Sequence, residues 1–402
     1  METLRLRRVQ DINLENKKIL MRVDYNVPIK EGKVSDDTRI LETLPTLQHL
    51  LKAKAKIILI SHLGRPKGKD DKKCSLKPVV QILEKLLQQP IRFLPDCIGQ
   101  EVSQAAQSLK PGEVTLLENL RFYPQEEDNN DEFAKNLAKL GEFFVQEAFG
   151  TLHRAHASTA GIPKYLPSAI GFLIQKELQF LDRALNAPER PFLAIVGGAK
   201  VSDKIGVLLK LVEKTDVLII GGGMAYTFLA AQGISIGNSI LEKDKTDQAQ
   251  EIIEKAYAKG VQCLLPADHL IAQKADAQSP TKIAESMAIP EGWMGVDIGP
   301  HSMDLFRDEI KAAKTIFWNG PLGIFEIPPF DQGTIQIAKA MEEATQNGAI
   351  TVVGGGDSLA ALKAAGVAEK GITHRSTGGG ASLELIEGKN LPGLAALTQQ
   401  KN

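Results

Sequence analysis

The sequence predicts an α/β protein of two similar-sized domains, each with a parallel sheet flanked by helices, the two joined by a hinge helix. Short apolar runs rich in Val, Ile and Leu recur along the chain, and many are separated by stretches of helical periodicity. The runs are continuously apolar rather than alternating, as strands buried on both faces are. The residues that end the runs also change character about half-way, from polar and charged to glycine.

In chain order the expected strands include Ile19–Val23, Lys56–Ile60, Val114–Leu117, Leu193–Val196, Val217–Ile220, Gln262–Leu265, Thr315–Trp318 and Ile350–Val353. Ser75–Leu87, Asp131–Leu140 and Asp203–Leu211 carry helical periodicity between them. Gln175–Leu185 reads as a helix and leads into Asn186–Pro191, which holds two prolines, so the domain boundary falls there. The expected division is residues 1–173, a linking helix and hinge over 174–187, a second domain over 188–388, and a tail over 389–402. At 402 residues the chain is too long for one ordinary core, at about 150 residues per domain. The partly apolar tail (Leu391, Leu394, Leu397) is suited either to docking on a core or to fraying.

With 48 basic and 49 acidic residues, the net charge of −1 offers no general attraction to nucleic acid or an anionic membrane. Any anion site must be local. The apolar runs are too short to span a bilayer. The N-terminal METLRLRRVQ is basic but has no apolar secretory core, so the chain is expected to be mature and cytoplasmic. Cys74, Cys97 and Cys263 form no CxxC pair, which fits buried thiols in a reducing compartment rather than a zinc site or a disulfide framework.

Four strand ends in the first half carry the chemistry. RVDYNVP supplies Asp24 and Asn26, with Arg39 following in DDTRI. ISHLGRP supplies His62 and Arg65, LENLRF supplies Arg121, and EAFGTLHRAH supplies His153, Arg154 and His156. Parallel sheets bind ligands beyond the carboxyl ends of their strands, so on one sheet these residues converge. Taken singly, each arginine reads as a solvated surface residue. Four arginines and a histidine recurring at strand ends of a neutral chain suit a small polyanion, because the guanidinium fork bonds two oxygens at once. Asp24 and Asn26 suit a substrate hydroxyl. His153 and His156 have no third ligand nearby and are not read as a metal site.

The second half repeats strand, glycines, helix: AIVGGAKVSDKI, LIIGGGMAYTFL, TVVGGGDSLAAL and, near the end, HRSTGGGASLEL. Glycine lets the backbone approach a phosphate and leaves helix-start N–H groups facing it. There is no GxxxxGK[ST], which excludes a P-loop NTPase; no full GxGxxG, which weakens a dinucleotide reading; and no HRD or DFG set, which argues against a protein kinase fold. Lys200 and Lys204 stand where a lysine reaches phosphoryl oxygens, and Asp357, after GGG, where a carboxylate holds a magnesium ion on nucleotide phosphates. Glu326 suits a ribose hydroxyl, though taken alone it reads as a surface residue.

RVDYNVP, SHLGRP, ENLRF, AFGTLHRAH, VGGAKVSDKI, FWNGPLGIFE, VGGGDS and STGGGASLELIEG, in this order, closely resemble the signatures of the phosphoglycerate kinase family over essentially the whole chain. The resemblance implies two Rossmann-like domains and reversible phosphoryl transfer from 1,3-bisphosphoglycerate to ADP, by direct in-line attack after domain closure, in glycolysis, gluconeogenesis or carbon fixation. It implies that Asp24, Asn26, Arg39, His62, Leu63, Gly64, Arg65, Arg121 and Arg154 hold 3-phosphoglycerate or 1,3-bisphosphoglycerate. It implies that Lys200, Lys204, Gly295, Asn319, Pro321, Glu326, Gly355, Gly356, Asp357 and Ser358 hold MgADP or MgATP, with Asp357 on the Mg2+. Arg39, Lys200, Gly378 and Gly379 are implied beside the transferring group. A monomer is implied, with a tail that returns to the first domain. Tyr25, Leu152 and Ser358 depart mildly from the family pattern, and none removes a charge. A dehydrogenase would explain the glycine turns but not the arginines. A non-catalytic sensor would be expected to lack Arg39, Lys200 or Asp357.

Overall fold

The computed structural model describes residues 6–398, so residues 1–5 and 399–402, which carry part of the N-terminal and tail readings above, lie outside it. The chain forms two compact units. One runs to Leu178 and takes in the segment from Asn390 onward; the other is Gln179–Lys389.

The first unit is built on a six-stranded sheet in the order β5 (Ile91–Leu94), β6 (Val114–Leu117), β4 (Lys56–Ile60), β1 (Lys18–Arg22), β7 (Phe143–Gln146), β8 (Ser168–Ile170). Every pairing is parallel. A small hairpin, β2 (Ile29–Lys30) with β3 (Lys33–Val34), follows β1. The helices are the single turn α1 (Thr38–Leu41), then α2 (Leu44–Lys52), α3 (Lys77–Leu87), α4 (Gln100–Ser108) and α5 (Asp131–Ala138). Ile19 and Met21 of β1 pack with Leu47 and Leu50 of α2 and Val79 and Leu83 of α3, while the alternate residue Leu20 is equally buried. Both faces of the sheet are therefore covered, which is why its strands read as continuous apolar runs.

α6 (Phe172–Asn186) carries the chain from one unit into the other. The second unit has a parallel sheet in the order β11 (Gln262–Leu264), β10 (Val217–Ile220), β9 (Phe192–Val196), β15 (Thr315–Asn319), β16 (Ile350–Gly354), β17 (His374–Ser376). Its chain order starts at the middle, runs to one edge and then to the other, the doubly wound arrangement. α7 (Ile205–Val212), α8 (Met224–Ala231), α9 (Thr246–Ala258), α10 (Pro300–Ala312), α11 (Gln332–Gln346), α12 (Gly356–Ala364) and α13 (Gly380–Ile386) connect or follow these strands. Trp318 and Ile316 of β15 pack on Phe306 and Ile310 of α10 and Ile337 and Met341 of α11.

Among the features not anticipated, two bear on the site. An antiparallel sheet of β13 (Thr281–Ala284), β12 (His269–Ala272) and β14 (Met294–Ile298) follows β11, around the buried Ala272, Val296 and Phe330. Lys204 is not in the first turn of α7 but at its N-cap, because Val201–Lys204 closes a turn of its own (Lys204 N to Val201 O, 2.8 Å).

α14 (Pro392–Thr398) packs on the first unit, against the wide helical turn Ala157–Gly161. The Gly393 N–H donates to Leu152 O at 2.9 Å, and a Cβ on Gly393 would lie about 3 Å from Leu152 atoms. Leu152, one of the departures from the family pattern, is thus a buried contact of the tail.

Where β7 ends, Glu147 is fully buried and accepts from the Thr46 hydroxyl and from Leu173 N at 3.0 Å, pinning the start of α6. Gly171 makes room for it, since a Cβ there would sit 2.0 Å from its second oxygen. Burial pushes this carboxyl up to about 7, against the pull of its hydrogen bonds. The folded chain therefore keeps a proton that the unfolded chain loses near pH 4.5, and stability from this group is lost as pH rises through about 7. Glu147→Gln, which cannot ionise, is expected to gain stability relative to the parent as pH is raised from ~5 to ~8. Urea midpoints of the two proteins at both pH values measure this; a gap that does not change with pH refutes it.

Candidate active site

All strands of the first sheet point one way, so the loops leaving the four adjacent strands β6, β4, β1 and β7 emerge at one edge. Those loops carry Arg121, His62–Arg65, Asp24 with Asn26, and His153–Arg154.

The contacts among them are specific. Asp24, 9% exposed, takes Arg39 NH1 on Oδ2 at 2.6 Å, and its Oδ1 lies 3.8 Å from His62 Nδ1. Arg39 reaches it from α1. Asn26 accepts from Gly64 N at 2.8 Å, and Gly64 O accepts from Arg121 NH1 at 2.9 Å, so three strand ends are tied in series. Gly64 has φ +63°, a conformation suited to glycine. Arg121 Nε lies 3.1 Å from the Glu127 carboxylate. Arg154 Nε donates to His153 Nε2 at 3.2 Å, and Arg65 stands exposed on the β4 loop. Burial holds the Arg121 guanidinium below its ordinary value, with the nearby Arg154 adding to the effect. His156 is driven down to about 4 by burial and by Arg121, Arg22 and Arg154. The edge is thus a concentration of positive charge in a protein of net charge −1.

Four residues of this edge had no assigned role in the sequence reading. Asn119, 1% exposed, accepts from Leu63 N (3.2 Å) and Arg121 N (3.0 Å) and donates to Leu63 O (2.7 Å) and Cys74 O (2.8 Å). It holds the His62 loop against the Arg121 turn. Its place inside ENLRF was its only signal. Arg22, Ser158 and Glu126 lie buried beneath the edge and had none as a set, being far apart in sequence.

In the second unit the glycine turns after β9, β10, β15, β16 and β17 emerge at one edge in the same way. Asn319, at the end of β15, is their hub. Lys204 Nζ donates to its Oδ1, its Nδ2 donates to Gly354 O at 2.7 Å, and its carbonyl accepts from Gly197 N at 2.9 Å. Pro321 O accepts from Gly198 N at 2.9 Å, and Ser358 Oγ accepts from Gly320 N at 2.7 Å. Gly355 has φ +96° and Gly379 φ +52°. Burial lowers the Lys204 ammonium, opposed by Asp203, Asp357 and Glu387. Gly378 N donates to Ser376 Oγ at 3.3 Å, and Lys200 stands exposed in the β9 turn.

Gly295 sits on β14, outside the parallel sheet. A Cβ there would meet the Tyr226 hydroxyl at 2.0 Å, so the residue must be glycine for α8 to pack. Ile324 N donates to Val296 O at 2.8 Å, stitching the loop that carries the exposed Glu326 to the strand of Gly295. Asp357, in the first turn of α12, is exposed and has no ion-pair partner among the described residues.

A family profile described as phosphoglycerate kinase matches residues 9–389. The chain belongs to the phosphoglycerate kinase family. The chloroplastic phosphoglycerate kinase of Volvox carteri is 55% identical over 391 residues, covering 96% of this chain and 84% of that one. The phosphoglycerate kinase of Chloroherpeton thalassium is 53% identical over 391 residues, covering 97% and 98%. Among solved structures, phosphoglycerate kinase from Coxiella burnetii superposes with a TM-score of 0.87 at 41% identity, covering 98% and 99%; that from Pyrococcus horikoshii gives 0.84 at 32%, covering 98% of each chain. The chain is accordingly a phosphoglycerate kinase-family enzyme that transfers a phosphoryl group reversibly between 1,3-bisphosphoglycerate and ADP, a step of glycolysis and gluconeogenesis. Among the described residues no helix is long and apolar enough to cross a membrane.

Asn119→Ala would leave two carbonyls and two N–H groups around Leu63 without this partner. The expected loss is about 3 kcal/mol of stability, from uncompensated buried polar groups. Chemical unfolding of the variant checks it, and a midpoint equal to the parent's rejects the bracing role.

Proposed function

We propose that the strand-end edge of the first unit holds 3-phosphoglycerate or 1,3-bisphosphoglycerate, and that the glycine turns of the second hold MgADP or MgATP. The observation that carries the first assignment is the gathering of Arg39, Arg121 and Arg154, with His62, at one sheet edge of a neutral protein. Arg39, Arg65, Arg121, Arg154 and His62 bind the phosphate and carboxylate, Asp24 and Asn26 the hydroxyl, and Leu63 and Gly64 line the loop. For the nucleotide, Lys200 and Lys204 meet phosphoryl oxygens, Gly355, Gly356 and Ser358 present the start of α12, Asn319, Pro321 and Gly295 form a wall, and Glu326 takes the ribose.

Asp357 suits magnesium. Mg2+ is held by one or two carboxylates together with substrate phosphates, and Asp357 offers one open carboxylate beside the glycine turn. Among the described residues no group of three His, Cys, Asp or Glu could cage a metal alone, so an ion arriving with the nucleotide fits better than a resident one. Bound there, it neutralises phosphate charge.

The terminal oxygen of ADP attacks the acyl phosphate in line, and the carboxylate of 3-phosphoglycerate leaves. No protein nucleophile is required. Arg39, Lys200 and the N–H groups of Gly378 and Gly379 stabilise charge on the transferring oxygens. Arg39 is engaged with Asp24 through one N–H at 2.6 Å and has other donors for the phosphoryl group. Direct transfer requires the two bound substrates to meet during turnover and to exclude water. A monomer is sufficient, since one chain supplies every residue named. Three free cysteines favour the cytoplasm.

Turnover of 3-phosphoglycerate and MgATP, followed by coupling the product to NADH oxidation, is expected to fall about 100-fold or more in Arg39→Ala and in Lys200→Ala, as for loss of one preorganised donor. Near-parental turnover in both rejects their placement. Asp357→Ala is expected to need more Mg2+ for half-maximal rate. An unchanged magnesium titration removes Asp357 from the metal.

A further inference from the structure

Beneath the basic edge lies a chain of buried polar groups. Glu126 and Ser158 are fully buried and Arg22 is 1% exposed. The Ser158 hydroxyl donates to Glu126 Oε1 at 2.5 Å, and Ser158 N donates to Oε2 at 3.0 Å. With its hydroxyl proton committed to Glu126, the Ser158 oxygen accepts from Arg22 Nε at 2.7 Å. Arg22 NH1 donates to its neighbour's carbonyl, Val23 O. The guanidinium plane is therefore fixed from two sides, and NH2 is left aimed at His62, 3.2 Å from Nδ1.

Arginine has five N–H donors and no acceptor. Nδ1 must then accept, and an imidazole that accepts on Nδ1 carries its proton on Nε2. We infer that Arg22 is a positioning residue for the transfer reaction, holding His62 as the tautomer protonated on Nε2 so that it meets the substrate as a hydrogen-bond donor. This rests on the placement of His62 in the substrate site proposed above.

The surroundings agree. Among the described residues nothing bonds Nε2, so its N–H is left for a ligand. Asp24 Oδ1, 3.8 Å from Nδ1, is beyond hydrogen-bond range and does not compete with Arg22 at 3.2 Å. It is the acceptor that would claim an Nδ1 proton were Arg22 absent. Arg22, Arg121, Arg39 and His156 face the ring with positive or titratable groups and Asp24 with a negative one. Burial first, then Arg22, Arg121 and Arg39, hold His62 well below the ordinary histidine value. The ring thus binds an anion by donation, without charging. Glu126 supplies the counter-charge that keeps Arg22 cationic in the interior.

The test is long-range proton–nitrogen NMR of the full chain with labelled histidine, His62 being assigned by His62→Gln. Expected is a bare Nδ1 and a protonated Nε2, unchanged between pH ~5 and ~8. A proton on Nδ1, or a ring that titrates in that interval, overturns the inference without any variant. In Arg22→Met the proton is expected to move to Nδ1, toward Asp24, and the KM for 3-phosphoglycerate to rise about tenfold. Should that variant not fold, Ser158→Ala, which keeps the charge of Arg22 but loosens its plane, is expected to give a mixture of tautomers; a pure Nε2–H ring in Ser158→Ala would count against the anchor. A parental KM in His62→Ala would remove His62 from the substrate site while leaving the tautomer assignment standing.

Discussion

Parallel pairing is the constraint from which the chemistry of this protein follows. In a sheet whose strands all run one way, every strand-to-helix loop leaves at the same edge, whatever its distance along the chain. β6, β4, β1 and β7 are adjacent in the first sheet, yet their outgoing loops lie at residues near 120, 62, 24 and 153. The ladder converts four separate sequence motifs into one surface. The same rule makes a surface of the glycine turns after β9, β10, β15, β16 and β17.

Gathering like charges at an edge is unfavourable, and carboxylates beside and beneath the edge offset it. Asp24 pairs with Arg39, Glu127 lies against Arg121, and Glu126 compensates Arg22 through Ser158. The histidines yield in another way. His62 and His156 lower their proton affinity, so they add donors without adding charge. In the second unit the same economy of charge appears in Asn319, whose amide receives Lys204 and binds the Gly354 carbonyl while remaining neutral.

How much of this was legible in the sequence depends on how local each cause is. β4, β6 and β10 stand where the apolar runs place them, since a strand buried on both faces is written in consecutive residues. β8 (Ser168–Ile170) and β17 (His374–Ser376) are short edge strands made mostly of small or polar residues and do not register as apolar runs, whereas the equally short edge strand β11 does, through Cys263, Leu264 and Leu265 beside it. The basic cluster was legible because each arginine follows its own strand. Gly295 was named through family resemblance alone; its steric reason is a tyrosine on another element, Tyr226. The Arg22–Ser158–Glu126 chain was invisible because its members are separated by 32 to 136 positions, and no periodicity joins a strand end, a wide helical turn and a buried carboxylate. Long-range polar complementarity appears only once the sheet exists.

The docking of α14 bears on the order in which the molecule can be made. The first unit contains residues up to 178 and again from 390, so the second unit is, in topology, an insertion within it. On the ribosome the first sheet emerges complete, but Leu152 has no Gly393 to meet until everything between has been synthesised. Vectorial synthesis therefore leaves the surface around Leu152 and Ala157–Gly161 uncovered while the whole second unit is being made, and the first unit is completed by a helix that emerges only after it.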